Sequence, residues 1–424
     1  MRLRTHAHSR RDILRLSGAT LTGSLGLTLA GCVDEDNPAY DVTNPLARSG
    51  GAAGDIPTLQ TVHREDADIE VSTADELESA VTAADGDIIW IADDATIDLT
   101  GQDLTVSNAV IASGRGGESA GGVITTDDQG SSSPAWQGGS NDQGLIQLDD
   151  NARITGVRIY GPHHAEQDHP YIPGYIPMTS GGRGSRDSWR AERYARAVTI
   201  YGDNVSVDNC EIAYFSVQGI SVGSTSYEPE NTVISHCYIH NNMMTSLGYG
   251  VDVRTGHPQI HQCYFDAYRH AINGSGYGNA GYFVTECTFG PWMSSFPVDM
   301  HGVFENVSGS SNPDDDDYRD RAGGTMVVQN CRFMGTHIVS ESFVNTHNGA
   351  QTRHAHIRAV PDDGFWFDGN QCAHTSPTDG VHQSNIPDQY DTDSNGMTRI
   401  HLGENNEWGV DFGFQGPPSL SDFE

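Results

Sequence analysis

Between Gly248 and Gly302 the chain carries six polar residues whose types could do chemistry: Asp252, Arg254, Arg269, His270, Asp299 and His301. The surrounding stretch, GYGVDVRTGHPQIHQCYFDAYRHAINGSGYGNAGYFVTECTFGPWMSSFPVDMHG, is otherwise rich in aromatic, β-branched and glycine residues. A core would not choose these six. Two carboxylates can share acid and base work or hold a cation, a histidine moves a proton near neutral pH, and an arginine neutralises an anion.

Their spacing gains meaning from a repeat. Asn209-Cys210-Glu211-Ile212, His236-Cys237-Tyr238-Ile239, Gln262-Cys263-Tyr264-Phe265, Glu286-Cys287-Thr288-Phe289 and Asn330-Cys331-Arg332-Phe333 share one pattern, with cysteines 27, 26, 24 and 44 residues apart and Cys372 another 41 on. A period in the twenties, lengthened by insertions, is a solenoid signature. Short β-rich runs at Ala197–Tyr201, Val205–Val207, Gly219–Val222 and Thr232–Ile234 lie between Gly, Asn, Asp and Ser, and no helical pattern long enough for a crossover separates them. Three short strands per coil describe an all-β parallel β-helix, each coil burying its face against its neighbours. The cysteines at one phase of the coil predict an internal stack, reduced because side chains pointing the same way fit a disulfide dihedral poorly. The absence of a Cys-x-x-Cys pair argues against zinc.

Phase places the polar residues. Aligning Gly219-Ile220-Ser221-Val222-Gly223, Gly250-Val251-Asp252-Val253-Arg254, Ala271-Ile272-Asn273-Gly274-Ser275 and Pro297-Val298-Asp299-Met300-His301 turns Ile220, Val251, Ile272 and Val298 inward. Ser221, Asp252, Asn273 and Asp299 then form one outward column, and Gly223, Arg254, Ser275 and His301 the next. Arg269 and His270 lead into the same strand. Singly, each is what a solvated surface carries, and an exposed Asp252–Arg254 pair contributes under about 1 kcal/mol. In register on consecutive coils, they predict an exposed groove.

Three uses of that groove remain open. A polysaccharide lyase needs a base and cations on a uronic-acid carboxylate; the base would be Arg269, His270 or His301, and Asp252 with Asp299 could hold Ca²⁺. A glycoside hydrolase needs two carboxylates, and Asp252 and Asp299 stand two rungs apart, about 9.6 Å at about 4.8 Å per rung, near the upper end of the roughly 6.5–9.5 Å inverting range. A non-catalytic glycan-binding or cell-envelope protein would only hold the chain. The lyase is favoured, and no organic-cofactor motif is present.

Asn241-Asn242 through Gly248-Tyr249-Gly250-Val251, Tyr268-Arg269-His270-Ala271-Ile272, Asp299-Met300-His301-Gly302 and Ile357-Arg358-Ala359-Val360-Pro361 resemble a group of bacterial and archaeal right-handed parallel β-helix proteins of the pectate-lyase-like superfamily. The resemblance runs from about Thr58 to about Cys372. It implies the handedness and a polysaccharide-facing groove, and supplies no reaction.

The remaining segments supply context. Ser9-Arg10-Arg11-Asp12-Ile13-Leu14, an apolar run from Leu16 to Ala30 and Leu29-Ala30-Gly31-Cys32 read as a twin-arginine signal over 1–31, with Cys32 as the lipidated first residue. Residues 32–57 are an acidic tether, and 58–424 one domain. Thr73-Ala74-Asp75-Glu76 with Leu77, Ala80, Val81 and Ala84 predicts a short helix capping the first coil. Strands are expected at Ile88–Ile91, Val110–Ala112, Gly144–Leu148 and Arg153–Tyr160. An insertion at 161–194 offers Tyr171, Tyr175 and Trp189 for stacking on sugar rings. Asp314–Asp317 and the calcium-loop-like start Asp391-Thr392-Asp393-Ser394-Asn395-Gly396 read as solvated loops. Residues 374–424 lose the rhythm and are expected to cap the last rung through Trp408 and Phe412.

All 23 basic residues are arginine, against 57 acids; removing residues 1–31, with five Arg and one Asp, leaves 18 against 56, a net charge of −38. Acidity without lysine resembles haloarchaeal proteins. In about 1 M salt the Debye length is only about 3 Å, so an anionic polysaccharide is not repelled. With no basic stripe, nucleic acid is excluded as a partner. The chain is read as an exported monomer on the outer face of the membrane, held there only by its lipid.

Overall fold

The computed structural model describes residues 59–413 apart from 118, 129–143, 163–167, 170–171, 174–194, 225, 243–246, 292, 294, 304–320, 336–352 and 389. Among these residues, strands stack into three parallel sheets of eleven, ten and nine. One coil shows the path. Val233–Ser235 lies in the eleven-stranded sheet, Tyr238–Asn242 in the ten-stranded and Tyr249–Val253 in the nine-stranded, before Gln259–His261 returns to the first. The chain is an all-β, right-handed parallel β-helix, the hand that parallel crossovers of twisted strands adopt.

The interior explains why these short strands hold together. Ile212, Ile239, Phe265, Phe289 and Phe333 are successive register partners, all buried. The rings of Phe265 and Phe289 stack at 5.5 Å, and those of Phe289 and Phe333 at 4.5 Å. Each coil's apolar face thus has a partner only on the adjacent coils, as a solenoid requires.

Two residues before each member of this stack stand Cys210, Cys237, Cys263, Cys287 and Cys331, free and buried, as the phase argument predicts. Cys372 departs from it. It pairs with Phe333, and the buried Asn370 takes the position beside Cys331. There Asn370 Nδ2 donates to the Val328 carbonyl at 3.0 Å, and its Oδ1 accepts from the Cys331 N–H at 2.9 Å. A bend needs backbone partners that a thiol supplies poorly.

The residue before each of the five cysteines is left-handed: Asn209, His236, Gln262, Glu286 and Asn330 have φ between 49° and 55°. That conformation turns the chain from the eleven-stranded to the ten-stranded sheet at a cost of roughly 1–2 kcal/mol for a side chain with a Cβ. Gly156 makes the same turn (φ 72°), where a Cβ would lie 2.0 Å from the Ser113 carbonyl oxygen. The single strand expected at Arg153–Tyr160 is therefore two, Arg153–Thr155 and Arg158–Tyr160, in different sheets.

Helix Ala74–Ala83 begins at the anticipated capping box of Thr73 and Glu76 and buries Leu77, Ala80 and Val81 against the first coils. The other end differs from expectation. Beyond residue 374 the rhythm continues for another coil, with Val381–Gln383, Ile400–Leu402 and Glu407–Trp408 each extending one sheet. Trp408 packs on the core there, 5.9 Å from the Phe367 ring, and Phe412 lies under Arg332 at 5.4 Å. The unequal spacing of these strands hid the coil.

Candidate functional site

On the nine-stranded sheet the registers are those the sequence alignment implies. Ile220, Val251, Ile272 and Val298 are partners facing the core, and Ser221, Asp252, Asn273 and Asp299 are partners in the next column. That column runs on through His356 and His382.

The expected exposure is corrected. Asp299 and His270 are 0% exposed, Asn273 4% and Asp252 7%. For Asp299 the reason lies on the following rung, where Ala355–Ile357 brings His356 beside it and leads into Arg358, the position matching His301. Both side chains close over the carboxylate.

Asp299 is the centre. Arg358 grips it with two donors, Nε to Oδ1 at 3.0 Å and Nη2 to Oδ2 at 2.8 Å. Three histidine nitrogens surround the same carboxylate: His301 Nε2 3.1 Å and His270 Nε2 3.7 Å from Oδ2, and His356 Nδ1 3.7 Å from Oδ1. Burial pushes the Asp299 carboxyl up, but Arg358 and the flanking imidazoles outweigh it and hold it well below the usual range. The carboxylate is therefore held ionised at neutral pH.

The histidines differ. His270 faces the Phe296 carbonyl through Nδ1 at 2.7 Å, so that nitrogen carries its hydrogen and Nε2 turns a lone pair toward Asp299. Burial, reinforced by Arg269, pushes its pKa far down and keeps it neutral. His356, bonded through Nε2 to Ser384 Oγ at 2.9 Å, is lowered to about 3, first by burial. The His301 side chain keeps 17% of its surface. Asp299 Oδ2 lies 3.1 Å from its Nε2, so a carboxylate stands directly behind the ring.

Asp252 belongs to a second network. Its carboxylate accepts from Gln218 Nε2 and from Asn273 Nδ2 (2.5 Å), while Gln218 Oε1 accepts from Arg196 at 2.7 Å. Burial raises the Asp252 pKa, against Arg254 and Asn273. Arg254 is half-buried, and its carbonyl accepts from Ser275 Oγ at 2.7 Å. The oxygens of Asp252 and Asp299 are thus taken by N–H donors, and the pair does not fit Ca²⁺, which demands six or more oxygens. Among the described residues no group of three or more His, Cys, Asp or Glu is arranged to hold a metal.

Arg269 stands away from Asp299, at the start of the strand. Its Nη1 donates to the Tyr249 hydroxyl at 3.2 Å and its guanidinium lies over that ring at 5.8 Å. Tyr249, His270 and Phe296 stack in turn at 5.8 and 6.1 Å, and Phe296 meets His356 edge-on at 4.8 Å.

So the structure brings His270, Asp299 and His301 into one cluster, keeps Asp252, Arg254 and Asn273 on the preceding rungs, and sets Arg269 at the edge. Tyr171, Tyr175, Trp189, Asp314–Asp317 and Cys32 lie outside the described residues. His356 and Arg358 are the members that sequence reasoning missed. Placing Ala355-His356-Ile357-Arg358 under Val298-Asp299-Met300-His301 would have found both, but 57 residues separate the two rungs.

No known family profile matches the chain, and no curated protein matches its sequence. Solved structures do. An alginate lyase from Paenibacillus sp. is 11% identical, covering 80% of this chain and 98% of its own, with a TM-score of 0.44. A pectin methylesterase from Erwinia chrysanthemi is 12% identical over 83% and 91%, TM-score 0.36. The A-module of an Azotobacter vinelandii mannuronan C-5 epimerase is 11% identical over 75% and 77%, TM-score 0.35. These are distant likenesses; the fold rests on the sheets themselves.

Proposed function

We propose that the face of the nine-stranded sheet around Asp299 acts on a polysaccharide containing uronic acid, by lyase-type proton abstraction with His301 as the base. The observation that carries this reading is the company of Asp299: a buried carboxylate clamped by Arg358 and ringed by His301, His270 and His356. A structural ion pair needs only Arg358. Three imidazoles gather around it, and the one that keeps contact with solvent is a group able to move a proton at the surface of the solenoid. In this mechanism His301 takes the proton next to the sugar carboxylate. Asp299 balances the resulting imidazolium, and Arg358 keeps Asp299 ionised. Electrons from the broken C–H bond form the double bond, and the glycosidic oxygen leaves with a proton from water.

A hydrolase is the second reading, favoured by one observation: Asp252 is pushed up and Asp299 down, the split that separates an acid from a base. Against it stands the engagement of both carboxylates by nitrogen donors. The product decides between them. With a panel of polysaccharides in high salt, an unsaturated uronate absorbing in the ultraviolet supports the lyase. New reducing ends without that absorbance support the hydrolase, and binding without either product supports a module that only holds glycan.

A further inference from the structure

We propose that Arg269 and Arg353 form a two-point clamp for carboxylates of the glycan, set two rungs apart along the nine-stranded sheet. The proposal rests on the reading above that a uronic-acid polymer lies across the nine-stranded sheet, and it identifies what grips that polymer's charge.

The observation is one of unused charge. Acids outnumber arginines 57 to 23; among the described residues Arg153 binds Asp208, Arg358 binds Asp299, Arg115 approaches Glu211 and Arg321 approaches Asp362, while Arg158 donates to the Gly121 carbonyl and Arg196 to the Gln218 amide oxygen. Arg269 and Arg353 are half-buried, and among the described residues neither makes an ion pair with a carboxylate. Each instead lies over a ring, Arg269 over Tyr249 at 5.8 Å and Arg353 over Phe296 at 6.0 Å. Asp379 is the acid whose field reaches Arg353, and it stops short of a salt bridge. A guanidinium packed on a ring, half in solvent and with no acid beside it, keeps N–H donors available for an anion.

The placement is equally specific. Arg269 precedes His270, whose strand partners Val298–Met300, whose strand in turn partners Ala355–Ile357, two residues beyond Arg353. The two cations therefore stand two rungs apart, about 10 Å at about 4.8 Å per rung, on the strand-start side of the same sheet. Between them run the stacked rings of Tyr249, His270 and Phe296. Each ring holds its guanidinium by cation–π contact and leaves N–H edges for a carboxylate, the bidentate geometry that lysine lacks. A polymer with a carboxylate on each sugar meets both; a neutral polymer meets neither.

The test is binding, which needs no turnover. Affinities of the full chain, Arg269→Gln, Arg353→Gln and the double variant are measured for polygalacturonate, alginate and hyaluronan, and for the same chains with carboxyls reduced to alcohols. Circular dichroism checks that each variant is folded. The clamp predicts that each single change weakens binding of at least one charged polymer by about tenfold, the double change by more, and that binding of the reduced polymer does not change. Equal loss on charged and reduced chains, no loss in either variant, or no binding of any charged polymer by the unsubstituted protein would overturn it. Arginine-dependent binding without an unsaturated product would keep the clamp while removing the lyase. An unsaturated product with no arginine dependence would do the reverse.

Discussion

Arg358 closes a two-pronged grip on Asp299, its Nε and Nη2 lying 3.0 and 2.8 Å from the two carboxylate oxygens, although 59 residues separate them in the chain. The pair joins consecutive rungs of the nine-stranded sheet, so it holds the coil and the chemistry at once.

Removing one partner should therefore cost more than removing both. Asp299→Asn leaves Arg358 without its counter-charge, and Arg358→Gln leaves a fully buried carboxylate without its arginine; each is expected to lower stability by about 3–5 kcal/mol. The double variant should fall well short of the sum. Denaturant midpoints of the four proteins measure this coupling, and additive losses would show that the two residues act independently.

Acid should destabilise the fold before it reaches the ordinary carboxylate range. His261 is lowered to about 4 and His356 to about 3, and His236, His257, His270, His354, His374 and His382 are lowered too, in every case first by burial. These groups stay neutral in the folded chain but take up protons near pH 6.5 when unfolded, so the unfolded state binds more protons below that point. Stability is full above about pH 6.5 and falls as pH drops toward 4 and 3; Asp299, also depressed, adds a loss of the same sign lower down. Melting temperature followed from pH 8 to 4 checks the direction, and a rise on acidification would contradict it.

The repeat made the fold legible because each coil repeats one geometry. Cys210 to Cys331 mark one inward position, and the register of Val251, Ile272 and Val298 follows by counting. Where the period broke, reading failed: Cys372 is displaced because Asn370 takes its place, and the coil from Val381 to Trp408 was read as a cap. Burial was the other blind spot. Alternation tells which side of a strand Asp299 takes, but not that His356 and Arg358, a long insertion away, close over that side. His301, Asp299 and His270 were found by phase; the residue that ionises Asp299 was not.

We propose that location is set by residues 1–32, which lie outside the described structure. A twin-arginine signal with lipid on Cys32 predicts that Cys32→Ser releases the protein from the membrane fraction into the medium. Unchanged membrane association of that variant would show that the anchor is elsewhere.

The central claim concerns His301 acting as the base on the sugar, with Asp299 behind it. The direct measurement is turnover of a uronic-acid polymer, read as ultraviolet absorbance of the unsaturated product, by the full chain and by His301→Ala. At 17% exposure this side chain is not part of the core, and the variant should fold. The account predicts an unsaturated product from the full chain, and in the variant a loss of about 10²–10⁴-fold, the contribution of a positioned general base. Undiminished product formation by a folded His301→Ala would contradict it.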